Sequence, residues 1–70
     1  MTKVPQVSHE RVVRALTRAG FYVLREGKYI SMTDEKHLVT IPRHHVIKPG
    51  TLKQILDAAD ISLERFKDLL

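Results

Sequence analysis

Apolar residues near the start of the chain recur at helical spacing. Val12, Val13, Leu16 and Ala19 form one stripe, while Glu10, Arg11, Arg14 and Arg18 fill the rest of the cylinder, which predicts an amphipathic helix over residues 9–19. Ser8 is its expected N-cap, because a hydroxyl there accepts from the free amides of the first turn. Gly20 is its expected stop. The pattern then changes: residues 21–26 and 28–33 are rich in aromatic and branched side chains and read as strands. The polar turn Asp34-Glu35-Lys36 leads to a third strand over residues 37–41, and connections this short predict an antiparallel meander. Pro42 closes that strand, since it cannot donate to a ladder. Residues 43–49, with two adjacent His, a Lys and a second Pro, read as an irregular surface loop. Pro49-Gly50-Thr51 open a second helix with Gly50 or Thr51 as cap, and Leu52, Ile55, Leu56 and Ala59 make its apolar face. Asp60-Ile61-Ser62 break it, and Ser62 caps a last short helix whose Leu63, Phe66 and Leu70 share a face.

A meander flanked by helices on both sides in sequence predicts an α+β fold of two layers, with both helices on one sheet face and the other face open. The same arrangement occurs in the double-stranded-RNA-binding domain, although arrangement alone licenses no function. Residues 25–31, Arg-Glu-Gly-Lys-Tyr-Ile-Ser, form the expected tight hairpin, with Gly27 supplying a positive φ. If Ile30 and Met32 point into the core, then Tyr29, Ser31 and Thr33 point away from it. Tyr29 is then either displayed or covered by a partner. There are no internal repeats, low-complexity tracts or linkers, so residues 1–70 are expected to form a single domain.

Composition narrows the picture. Seventy residues without Cys lie near the lower limit for folding on a hydrophobic core alone. Disulfides, thiolate chemistry and Cys-based zinc sites are excluded, which fits a reducing compartment. No apolar run approaches the ~18 residues of a membrane span, and Met-Thr-Lys-Val-Pro-Gln lacks the apolar stretch of a signal peptide. The expectation is a soluble, unprocessed, cytoplasmic protein.

The net charge of +4 is uneven: residues 1–53 hold ten Lys and Arg against four acids, and residues 54–70 hold two against four. Between His37 and Lys53 there is no acid at all. A local surplus of this kind suits a phosphate backbone or an acidic protein, and is otherwise a solvated basic surface. Arg25, Lys28, Arg43, Lys48 and Lys53 are the candidate phosphate contacts. Adjacent His44 and His45 could in principle serve as acid and base, but loop neighbours seldom converge on one phosphate. The other assignment is that one binds phosphate or caps the loop while its neighbour is solvated. His9 and His37 read as surface residues, and Glu26 and Glu35 as solubilising charges. The four His show no paired zinc spacing, so neither a metal nor any other cofactor is expected.

Several stretches carry a family resemblance. Arg-Glu-Gly-Lys before an outward strand residue, then Val-Thr-Ile-Pro-Arg-His, then Lys-Pro-Gly-Thr-Leu-Lys-Gln-Ile-Leu and Ala-Asp-Ile-Ser-Leu-Glu-Arg-Phe, resemble the HicA toxin family. The resemblance covers nearly the whole chain and is most specific over residues 39–56. It implies a double-stranded-RNA-binding-like fold, ribosome-independent cleavage of mRNA, and a HicB-type antitoxin that covers the active surface. Read from the basic hairpin and loop, the candidate RNA-contacting set in this chain is Arg25, Gly27, Lys28, Arg43, His44, His45, Lys48 and Lys53.

One position departs from the family. The hairpin glycine is followed there by a small or polar residue and then the His held to be catalytic, whereas this chain reads Gly27-Lys28-Tyr29. Metal-free RNA cleavage requires removing a 2′-hydroxyl proton and protonating the leaving 5′-oxygen. Imidazole, with an ordinary pKa of ~6.5, suits both, while a phenol near ~10 can donate but hardly accept. The resemblance therefore implies a toxin-shaped chain with impaired nuclease activity. Tyr29 could instead stack on an unpaired base or be a partly buried sheet aromatic. The competing class is a non-catalytic module that binds RNA or antitoxin. Membrane-surface binding by the first helix is disfavoured, because its Arg residues are interspersed with apolar positions and no large aromatic anchors it.

Overall fold

The computed structural model describes residues 6–70, so the expectation for the signal-free start of the chain largely lies outside the described residues. The elements are α1 (His9–Arg18), β1 (Tyr22–Glu26), β2 (Tyr29–Thr33), β3 (Leu38–Pro42), α2 (Pro49–Ala59) and α3 (Leu63–Leu69). Ser8 caps α1 as expected, its hydroxyl accepting from the Arg11 amide at 3.4 Å. Val12, Ala15 and Leu16 are buried, with Val13 and Ala19 at the margin of the core. Ala19 is the C-cap, one residue earlier than the apolar spacing suggests, and Gly20 follows at φ 101°. That backbone conformation favours a residue without Cβ.

The sheet is antiparallel in the order β1-β2-β3, confirming the meander and the α+β class with its double-stranded-RNA-binding-like order. Ile30, Met32, Val39 and Ile41 face the helices and are buried. Both α1 and α2 pack on β3, and α3 packs against both of them. The helical layer is therefore off-centre, and every residue of β1 is exposed. A bulge interrupts the β1–β2 register between Val23 and Arg25.

Four local expectations need correction. The turn at Gly27 uses no positive φ; the left-handed residues are Gly20, Glu35 and Asp60. The hairpin closes through Glu26 opposite Ile30, with the Gly27 amide donating to the Tyr29 carbonyl at 3.1 Å, and that loop needs no inverted backbone. Second, α2 begins at Pro49 with Lys48 as N-cap, not at Gly50 or Thr51. Proline suits the first helical turn because its missing N–H would have no intrahelical partner there. Third, the segment after β3 is not wholly superficial. Ile47 is fully buried and forms an isolated antiparallel bridge to Val7, its amide donating to the Val7 carbonyl at 2.7 Å. Last, α3 buries Phe66 and Leu69, while Leu70 is only half-buried. Arg18 of α1 donates to the Leu69 and Leu70 carbonyls at 2.7 and 3.0 Å, a cationic cap on carbonyls that the helix itself leaves unpaired.

Candidate nucleic-acid interface

Strand register determines which side chains share the sheet face turned away from the helices. Tyr22, Thr33 and Leu38 form one row across the strands; Arg25, Ser31 and Thr40 form the next; Tyr29 and Pro42 end the face at the hairpin. The bulge is what brings Arg25 here. Uninterrupted alternation from Val23 would send Arg25 to the helix side, whereas the extra residue sets it opposite Ser31. Tyr29 is 57% exposed and Tyr22 47%, so two aromatic rings stand on one face with a guanidinium-bearing row between them. Sequence reasoning missed Tyr22. A bulge after Val23 would have paired it with the Tyr29 face, but strand propensity contains no signal for that bulge.

The segment after β3 approaches the same end. Arg43 Nη1 donates to the Gly27 carbonyl at 3.4 Å, tying the basic loop to the hairpin tip. The loop is held from behind by His9, whose backbone N–H and Nδ1 reach the His44 carbonyl at 3.1 and 2.9 Å. His9 is thus a half-buried fastening and not the plain surface residue expected. Lys28, His44, His45 and Lys48 are exposed along the tip and loop. Lys53 stands apart, lining a groove between α2 and α3 with Leu56, Ile61 and Leu63. The structure therefore gathers Arg25, Gly27, Lys28, Tyr29 and Arg43 at the hairpin end, with His44, His45 and Lys48 on the adjoining loop.

At the opposite end of the sheet, His37 is also more than a surface residue. Its ring lies 3.1 Å from Asp34 Oδ2 and 6.4 Å between centroids from Phe21. Asp34 Oδ1 accepts from the Lys36 and His37 amides at 2.9 and 2.7 Å. Partial burial opposes ionisation of Asp34, but the His37 ring, those two amides and the charge of His37 outweigh it and lower the carboxyl to about 2. This network shapes the β2–β3 turn. Among the described residues no group of His and carboxylates is arranged to hold a metal ion, and no helix is long and apolar enough to cross a membrane.

Comparison with known proteins gives one family. A sequence profile described as HicA toxin of bacterial toxin-antitoxin matches residues 10–61. No curated protein and no solved structure gave a match. The matched span runs from the first turn of α1 to two residues past the end of α2, and so takes in the whole sheet, the hairpin and the basic loop. The chain belongs to the HicA family and is a toxin of a bacterial toxin–antitoxin system.

Proposed function

We propose that this chain is an mRNA-directed toxin that engages RNA with the hairpin end of its open sheet face and cleaves it poorly, because Tyr29 stands where the resemblance implies a catalytic His. The observation that carries this reading is the exposure of Tyr29 on that face, beside a hairpin tip bonded to Arg43. Arg25, Lys28, Arg43, His44, His45 and Lys48 contact phosphates in this reading, and Gly27 lets the backbone approach closely. Lys53 lies outside the contact set. A HicB-type antitoxin covers the same surface in the cytoplasm, where the mRNA is. Expression of Tyr29→His in bacteria tests the catalytic half of the proposal. Growth arrest with loss of intact mRNA is expected, and normal growth at equal protein level would refute it.

A second reading is favoured by Tyr22. With Tyr22, Arg25 and Tyr29 on one face, stacking and charge suffice to bind single-stranded RNA without chemistry. In that case Tyr29→His leaves growth unchanged, while the purified chain still binds RNA.

A further inference from the structure

The open face is only one side of the hairpin. Because of the bulge, Glu26 pairs with Ile30 and falls on the helix side of the sheet. There a cleft of about 250 Å³ is lined by His9 and Glu10 from α1, Glu26 from the end of β1, and Arg43 just past β3, with Val13 and Ile30 as its apolar wall. Among the described residues the one ion pair is His37 with Asp34. Neither carboxylate of the cleft has closed on Arg43 or His9, so two anions, a guanidinium and an imidazole share a small space without neutralising one another.

His9 is also oriented. Its Nδ1 meets the His44 carbonyl oxygen at 2.9 Å, and a carbonyl only accepts. Nδ1 therefore carries a hydrogen, and Nε2 is left to exchange protons. An imidazole fixed by a backbone carbonyl, a carboxylate on a neighbouring element and a guanidinium lining the same cleft are the parts that transesterification of a phosphodiester requires.

We propose that this cleft is a second acid–base site for RNA cleavage, on the opposite side of the hairpin from Tyr29. Glu26 takes the proton of the 2′-hydroxyl as the 2′-oxygen forms its bond to phosphorus. The bond from phosphorus to the 5′-oxygen breaks, and His9 gives its Nε2 proton to that oxygen. Arg43 holds the non-bridging oxygens as their charge grows. The products are a 2′,3′-cyclic phosphate and a 5′-hydroxyl; Glu26 has gained one proton and His9 has lost one, and solvent resets both. The site rests on the RNA-binding reading above and supplies the acid–base pair that Tyr29 does not.

The test uses the full purified chain with Tyr29 unchanged and a labelled oligoribonucleotide in the presence of a chelator. Slow cleavage leaving cyclic phosphate ends is expected. Glu26→Gln and His9→Asn each lower the rate by roughly 10²–10⁴-fold, and Glu64→Gln on α3 does not. Asn at position 9 can still donate to the His44 carbonyl, so the loop stays fastened; if that variant nonetheless melts early, Glu26→Gln decides, since Glu26 is exposed. The pH profile separates chemistry from structure. Glu26→Gln changes the shape of that profile, where a substitution that only loosens the fold lowers the rate by the same factor at every pH; Glu10 and Arg43 are the other charges facing the cleft. Binding of the unmodified chain to the same oligonucleotide is followed in parallel by fluorescence anisotropy. Binding without cleavage, or cleavage that survives both substitutions, overturns the site and spares the RNA-binding reading; absence of binding overturns both.

Discussion

Val46 and Ile47 are adjacent, apolar and β-branched, yet unequal outcomes are expected from shortening them. Val46 is 53% exposed and Ile47 is fully buried. Ile47→Val removes one methyl group from a packed site and should cost about 0.5–1.5 kcal/mol; Ile47→Ala should cost about 2–5 kcal/mol. A chain of this size has only roughly 3.5–10 kcal/mol of total stability at 0.05–0.15 kcal/mol per residue. The alanine variant is therefore expected near its folding threshold, and the valine variant stays folded. At roughly 4–8 °C per kcal/mol for a small domain, Ile47→Val should lower the melting temperature by several degrees. Val46→Ala should stay within about 0.5 kcal/mol of the parent, as surface substitutions usually do. Urea titration followed by circular dichroism measures both. Because the Ile47 side chain packs in the core beneath the loop, Ile47→Val should weaken RNA binding more than Val46→Ala does. Equal midpoints for Ile47→Val and Val46→Ala would refute the assignment of Ile47 as the loop's anchor.

Three further outcomes are expected. Gly27→Ala should leave stability within about 0.5 kcal/mol, since its φ is not left-handed and an added Cβ meets nothing within 4 Å; Gly20→Ala, at φ 101°, should destabilise by about 1 kcal/mol or more, and thermal melts rank the two. Asp34 is lowered to about 2 from an ordinary 3.8, so its contribution is complete above pH 4 and disappears as pH falls through about 2. The melting-temperature gap between the parent and Asp34→Asn should narrow over that window, and a constant gap would contradict the assignment. Arg43→Ala should weaken RNA binding and reduce the slope of log affinity against log salt by about one phosphate contact; an unchanged slope removes Arg43 from the interface.

Much of this architecture was legible in the chain because it rests on repeating signals. Helical spacing in α1 and α2, Ser8 and Ser62 as caps, and alternation through Ile30 and Met32 all reappear in the structure. What escaped is non-periodic. Ile47 sits beside Val46 in an otherwise polar segment with no period to say which of the two is buried, and its partner Val7 lies far away in sequence. Pro49 reads as the residue just ahead of the cap because Gly50 and Thr51 are the better capping residues, yet its position in the first turn is the one where it fits. The left-handed conformation expected at Gly27 falls instead at Glu35 and Asp60; the second is an acid at a helix end, one of the few side chains that tolerate it. For the site, the outward direction of Tyr29 followed from alternation through Ile30 and Met32, and Arg43 stood among the candidate contacts because of the acid-free stretch around it. The roles of Tyr22, Glu26 and His9 did not, since they depend on one inserted strand residue and on a loop carbonyl reaching back to α1.

The inserted residue in β1 has an outcome for how the protein behaves in quantity. β1 ends the sheet, so its outer amides and carbonyls lack neighbours, and Tyr22-Val23-Leu24 is an uncharged triplet. A straight border of that composition invites a second molecule to zip alongside. Here the kink at Leu24 throws the two halves out of line, and the stretch beyond it bears Arg25 and Glu26. An incoming strand therefore finds about three residues of continuous track before it meets both a misfit and two charges, which is how a sticky margin is kept from growing into a fibre.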